Sequence, residues 1–163
     1  MVAYSFQKQF VEPIQKGVKT QTIRAHRRRH ARPGEPMQLF CGMRTKHCKK
    51  IIDDPICRGL ESIEIDLTPL DGCTTRYEDR WRFYERLPDV GLSIDGARLD
   101  ENFQRQYLAE ADGFEGLVWT KNDERLLPFT AMMLFWLATH GPQRFEGLII
   151  HWNDLLRGPS CAL

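Results

Sequence analysis

Several features that define common protein classes are missing from this 163-residue chain. No stretch approaches the ~20 apolar residues of a membrane span, and the longest apolar block, Ala131 to Ala138, has the length of a core helix. The opening residues, MVAYSFQKQFVEPIQKG, lack the basic start and long apolar centre of a signal or transit sequence. A cytoplasmic protein with no membrane partner is expected. A glycine-rich first turn and a regular series of βα units are absent, which excludes a doubly wound sheet. There is no internal repeat or low-complexity tract. Cysteine is sparse and poorly spaced for metal: Cys41, Cys48, Cys57, Cys73 and Cys161 stand further apart than the roughly two to four residues between paired zinc ligands, and only His47 beside Cys48 hints at a knuckle. No metal site and no cofactor are expected. Five cysteines without a dense pattern read as free thiols.

What is present is a charge dipole hidden by a near-zero total. The net charge is +1, yet residues 16 to 58 hold 12 Lys/Arg against Glu35, Asp53 and Asp54, while residues 59 to 163 hold 10 Lys/Arg against 18 Asp/Glu. Such asymmetry points to a polyanionic partner, nucleic acid before membrane. The apolar and charged fractions, 42% and 28%, are those of a globular chain, and the length suits a single domain over residues 1–163.

Along the chain, Phe6 to Lys16 reads as a short helix or extended entry, with Phe6, Phe10 and Ile14 on one helical face. Gly17 ends it, and Arg24 to Arg32 reads as a solvated loop closed by Pro33 and Gly34. Met37 to Met43 and Leu60 to Leu67 read as strands, the second alternating apolar with acidic residues. Between them Arg44 to Lys50 is either the strand's end or a second basic loop on the same side as the first. Tyr77 to Arg86 interleaves aromatics with arginines. It reads as a surface helix with Tyr77, Trp81 and Tyr84 on the core, or as a platform on which unpaired bases stack. Leu92 to Leu99 turns tightly at Asp95 and Gly96. Asp100 is placed to cap a helix over 101–111 with Phe103, Tyr107 and Leu108 on one face, ended by Asp112 and Gly113. Thr130 to Thr139 reads as a helix, and Phe145 to Trp152 as a buried closing strand. This order of elements predicts an α+β domain, a small mixed β-barrel with flanking α-helices.

Residues Gly17 to Arg24, GVKTQTIR, place an amine, hydroxyls and a guanidinium within one short span. The arrangement GxKxxTxR resembles the signature of the ASCH domain family, small barrel proteins of the PUA-like superfamily. Three later segments extend the resemblance: ARPGEPMQLFCGMRTKHCKKI is similar to the family's turn, strand and basic tail, YLAEADGF to its helix end, and FEGLIIHW to its closing strand. Residues 68–90 and 115–128 then read as insertions. The resemblance implies RNA or nucleotide recognition in a cleft of the barrel. Some small members hydrolyse N4-acetylcytidine with a lysine and a threonine of this motif and a glutamate from the helical region. Residue by residue these fall on Lys19, Thr22 and Asp112, with Glu110 and Glu115 as neighbouring candidates. An aspartate is one methylene shorter than the family's glutamate.

Four functions stay open. One is an RNA or single-stranded nucleic acid binder using Lys19, Arg24, Arg27, Arg28, Arg29, Arg32, Arg44 and Lys46, whose affinity falls with salt. The second is a hydrolase of a modified nucleoside, in which a lysine of lowered pKa activates the Thr22 hydroxyl and a carboxylate handles protons. A nuclease using His26 and His30 is the third, and an acidic interaction domain the fourth. No obligatory protein partner is expected.

Overall fold

The computed structural model describes residues 1–77, 80–114 and 126–152. It is a mixed α+β structure with eight strands in two sheets and four helices among the described residues. Strands β1 (Val2–Phe6), β3 (Met37–Cys41) and β4 (Lys49–Lys50) make the smaller sheet. The larger one runs β2 (Gln21–Ala25), β8 (Arg144–His151), β5 (Gly59–Asp66), β6 (Gly91–Ile94) and β7 (Ala97–Arg98), in that spatial order. All pairings are antiparallel except β1 with β3, and the chain between those two crosses to the other sheet to form β2. The described strands do not join into one closed ring.

β8 sits between β2 and β5 and pairs with β5 over its whole length, from Gly59↔His151 to Asp66↔Arg144. Its run of Leu148, Ile149 and Ile150 suits a strand covered on both faces, and Ile149 and Ile150 are fully buried. Gly147 is required there: a Cβ would meet the Arg24 carbonyl at 2.3 Å and the Phe145 ring at 2.7 Å. β5 alternates as its sequence predicts, with Ile63 and Ile65 in the core. The tight turn also appears, with Asp95 and Gly96 both at positive φ between β6 and β7.

Helix α1 (Val11–Gln15) follows a 3₁₀ turn at Lys8–Phe10, and Phe6, Phe10 and Ile14 all enter the core. Of the two expectations for Phe6 to Lys16, the extended entry holds at Phe6, which ends β1 paired with β3, and the α-helix forms only over Val11–Gln15. Helix α2 (Trp81–Arg86) and flanking 3₁₀ turns fill the excursion at 68–90. Its core residue is Phe83. Tyr77, Trp81 and Tyr84 lie 52%, 61% and 43% exposed, which overturns the expectation that they face the core.

Helix α3 (Asn102–Ala111) buries Leu108 and Ala109 but leaves Phe103 and Tyr107 exposed, so the expected face is rotated. Its N-cap is Glu101 without a side-chain cap, and Asp100 instead pairs with Arg98. Helix α4 (Pro128–His140) is buried nearly all round and lacks a polar stripe. The Gln106 amide oxygen accepts from the Phe129 N–H at its first turn, and Gly141 at φ +75° stops it. The expected insertion at 115–128 lies mostly outside the described residues. No described helix is long and apolar enough to cross a membrane.

Candidate functional site

Lys19 stands just before β2, where two contacts fix it against α3. The Thr20 N–H donates to the Ala111 carbonyl at 2.9 Å, and the Gln21 side chain donates to the Leu108 carbonyl at 3.2 Å. The Lys19 amine therefore reaches the C-terminus of α3. There it donates to the Asp112 main-chain carbonyl and, at 2.8 Å, to the Asp112 carboxylate. An ammonium at this end of a helix meets unpaired carbonyls and the negative end of the helix dipole. Gly113, at φ +88°, closes the arrangement: a Cβ would lie 2.9 Å from the Lys19 side chain. The turn thus needs glycine both for its conformation and for its space.

Lys19 and Asp112 are almost wholly buried. The amine lies 4.7 Å from the Phe10 ring centre and 5.8 Å from that of Phe6, a cation over aromatic faces. Burial pushes the Lys19 amine below its ordinary value, with Asp112 opposing. The same burial pushes the Asp112 carboxyl up, opposed by Lys19, by Arg24 and by the Ile23 N–H. Both shifts weaken the ionised pair, so proton transfer between the two groups is cheaper than between their exposed counterparts.

Thr22 and Arg24 are two apart on β2 and share a face. The Arg24 Nε donates to the Thr22 hydroxyl at 3.2 Å, and its Nη2 donates to the Ser5 carbonyl at 2.7 Å. Its guanidinium covers the Phe6 ring at 4.8 Å. Lys19, Thr22, Arg24 and Asp112 all line one cavity of about 370 Å³. Such a volume falls in the roughly 300–1,000 Å³ range of small-molecule pockets. Phe6, Phe10, Phe135, Trp136 and Phe145 also line it, with Thr139 and His140 from the end of α4.

The sequence reading thus brings together Lys19, Thr22, Arg24 and Asp112. It missed the wall from α4 and β8, because the one signal for it, Trp136 with Thr139 and His140 before Gly141, resembles an ordinary helix end. Glu110 is half-buried on α3 and does not line the cavity. Glu115 lies outside the described residues.

The basic loop leaves β2 at Ala25, itself on the cavity wall. The Arg27 guanidinium covers the Tyr4 ring at 4.5 Å, and Arg24 approaches that ring at 5.8 Å. Arg29 pairs with Glu35 at 2.5 Å, and Glu35 also holds the N-terminal amine at 3.0 Å. Arg28 and Arg32 are exposed. His30 is committed to structure: it stacks on Tyr4 and its Nε2 bonds the Ala25 carbonyl at 3.1 Å. His26 is exposed. Arg44 and Lys46 sit on an exposed turn after β3, with Arg44 at φ +69°. That turn leaves one end of β3 while the Arg27–Arg32 loop enters the other, so the two basic segments are not neighbours on one side.

Among the described residues, Cys41, Cys48, Cys57 and Cys73 are unpaired, and no group of three or more His, Cys, Asp or Glu is placed to hold a metal. Compared with known proteins, the chain matches no family model, no curated protein and no solved structure.

Proposed function

We propose that this chain is an ASCH-like, PUA-like nucleic-acid-binding domain that receives one base of RNA in the cavity and holds the flanking backbone with the Arg27–Arg32 loop. The observation that carries the reading is the composition of a single cavity: aromatic side chains and the buried Lys19–Asp112 pair line it, and an arginine-rich loop leaves β2 at Ala25 on its wall. Aromatic faces stack on unpaired bases, buried polar groups read base edges, and exposed guanidinium groups meet phosphate. Lys19, Arg24, Arg27, Arg28, Arg29 and Arg32 fit these roles. Arg44 and Lys46, at the far end of β3, fit only a longer strand. The small mixed barrel with flanking helices belongs to this proposal. So does a cytoplasmic location.

Binding of a short single-stranded RNA, followed by fluorescence anisotropy at several salt concentrations, tests the reading. Thr22→Val and Phe6→Ala weaken binding, and the affinity of the native chain falls steeply with salt. Binding that ignores both cavity variants rejects it.

A second reading is favoured by one observation, the 2.8 Å approach of Lys19 to Asp112 beside Thr22. A buried amine of lowered pKa is suited to take the Thr22 proton as the hydroxyl attacks an amide carbonyl. Asp112, taking that proton from Lys19 across their hydrogen bond, would pass it to the departing amino group, and water would then hydrolyse the acetyl ester left on Thr22 to release acetate. The N4-acetyl group of N4-acetylcytidine is such an amide. Acetate release that persists in both Lys19→Ala and Thr22→Ala rejects this chemistry.

A further inference from the structure

The cavity lining also includes an imidazole that neither reading employs. His140 is the last residue of α4, and its ring lies on the Trp136 ring at 4.4 Å and 17°. The edge of Phe145 approaches it at 5.7 Å. The i, i+4 spacing and the stack hold the ring in one orientation.

Its hydrogen bonds define which nitrogen bears the proton. The Thr139 hydroxyl has a single proton and lies 2.8 Å from the Phe135 carbonyl, which can only accept. The Trp136 carbonyl, at 3.4 Å, is a second acceptor for that proton. The His140 Nδ1 lies 2.8 Å from the same hydroxyl oxygen; with the hydroxyl proton on a carbonyl, Nδ1–H is the donor and the oxygen accepts. That arrangement gives the neutral ring its proton on Nδ1 and a bare lone pair on Nε2. Among the described residues the ring's hydrogen-bond partners are the Thr139 hydroxyl, at Nδ1, and the Trp136 carbonyl, and the ring lines the cavity.

We propose that His140 is a specificity-determining contact, accepting at Nε2 a hydrogen bond from the exocyclic amino group of the ring held in the cavity. The site then favours amino-bearing bases over their carbonyl counterparts, cytosine over uracil and adenine over hypoxanthine. The proposal rests on the reading that the cavity takes a nucleobase. A carbonyl edge facing the bare lone pair leaves two acceptors opposed, a mismatch of roughly tenfold in affinity. Burial holds His140 below its ordinary value, against a hydrogen bond to the Trp136 carbonyl, so the ring is neutral at neutral pH. Its packed neighbours from α4 and β8 are Trp136, Thr139 and Phe145, none of them charged. The ionisable groups sharing the cavity are Lys19, Arg24 and Asp112. Protonation turns Nε2 into a donor, which reverses the preference.

Calorimetric titration with cytidine and uridine, and with adenosine and inosine, at about pH 7.5 and about pH 5 tests this. The amino member of each pair binds about tenfold more tightly at the higher pH, and the gap narrows or inverts at the lower. His140→Phe keeps the stack on Trp136 and removes the acceptor, so the members of a pair bind alike at both pH values. Thr139→Val frees the tautomer and reduces the preference in part. Equal binding within each pair by the native chain, or a preference that survives His140→Phe, overturns the proposal while leaving the pocket reading intact. Failure of the native chain to bind either the nucleosides or single-stranded RNA removes the pocket reading, and this proposal with it.

Discussion

Lys19 and Arg28 are nine residues apart, both cationic, and their surroundings differ in every other respect. Lys19 is buried among aromatic rings and paired with Asp112, in a position fixed by β2, α3 and Gly113. Arg28 is exposed on a loop that has left the sheet. The first charge costs folding energy to place and is worth that cost only if a pocket needs it. The second costs little, because its hydration is kept. A cavity and a handle made from one short segment are thus under different constraints. Geometry governs the cavity, whereas charge alone suffices for the loop.

The sharpest way to break this comparison is Asp112→Ala, which leaves the Lys19 amine buried without its carboxylate. Loss of one partner from a buried pair costs about 3–5 kcal/mol, measured by urea unfolding. The double change Lys19→Met with Asp112→Leu removes both charges and restores most of that loss, since burial then favours the apolar pair. A single variant as stable as the native chain would mean that Lys19 is hydrated, and the cavity would resemble the loop after all. Next in size is Gly113→Ala. A left-handed non-glycine residue costs about 1–3 kcal/mol, and here its methyl group also presses on the Lys19 stem. Nucleoside binding is expected to weaken alongside stability, because the turn that displaces Lys19 is the one that presents Asp112.

How much of this was legible beforehand follows the same division. The strands Gly59–Asp66 and Arg144–His151 were legible because alternation and a continuous apolar run are local signals. The loop was legible from charge. That Lys19 meets Asp112, 93 residues away, was suggested by the family's spacing and not by any local pattern. The misreadings have a common cause. Apolar spacing on a helix shows which residues share a face but not whether anything covers that face. One of the two readings of Tyr77 to Arg86 puts Tyr77, Trp81 and Tyr84 on the core, yet the buried residue of α2 is Phe83. Phe103, Tyr107 and Leu108 share one face by their spacing, yet α3 docks through Leu108 and Ala109, the side that also carries it to β2. Val2–Phe6 was hidden because its partner, Met37–Cys41, is parallel and distant in sequence. The cavity's α4 wall had no signal of its own, since Trp136 and His140 serve the core and the rim together.

A smaller test concerns His30, which stacks on Tyr4. Burial, with help from nearby Arg27, His26 and Arg24, holds it below its ordinary value of 6.5, against the Ala25 carbonyl bond. The folded state therefore binds this proton less readily than the unfolded chain. Its contribution to stability is complete above pH 6.5 and is lost as pH falls through the lower folded value. His30→Gln flattens that acid limb in thermal melts between pH 7 and pH 5. An unchanged limb would show that the loop carries no berth for His30 and is free throughout.

The least stability change, and the clearest readout of the loop, comes from replacing Arg27, Arg28 and Arg29 together by alanine. Arg28 is exposed, and an exposed side chain away from special features alters stability by no more than about 0.5 kcal/mol. The Arg29–Glu35 pair and the Arg27–Tyr4 contact lie at the surface, where such contacts contribute little, so thermal unfolding stays close to native. RNA binding is another matter. Each phosphate neutralised on a single strand contributes about 0.7 to the slope of log affinity against log salt. The three arginines are not equivalent: Arg29 already pairs with Glu35 and Arg27 lies over Tyr4, while Arg28 is exposed. The expected fall in slope is therefore between about 0.7 and 2, and Arg28→Ala alone gives the lower figure. Nucleoside affinity should stay as it was, because a free nucleoside has no phosphate for the loop to hold. If nucleoside binding falls with the slope, the handle and the cavity are one site. If the slope stays while the variant folds, the strand runs elsewhere, and the turn carrying Arg44 and Lys46 is the next segment to test.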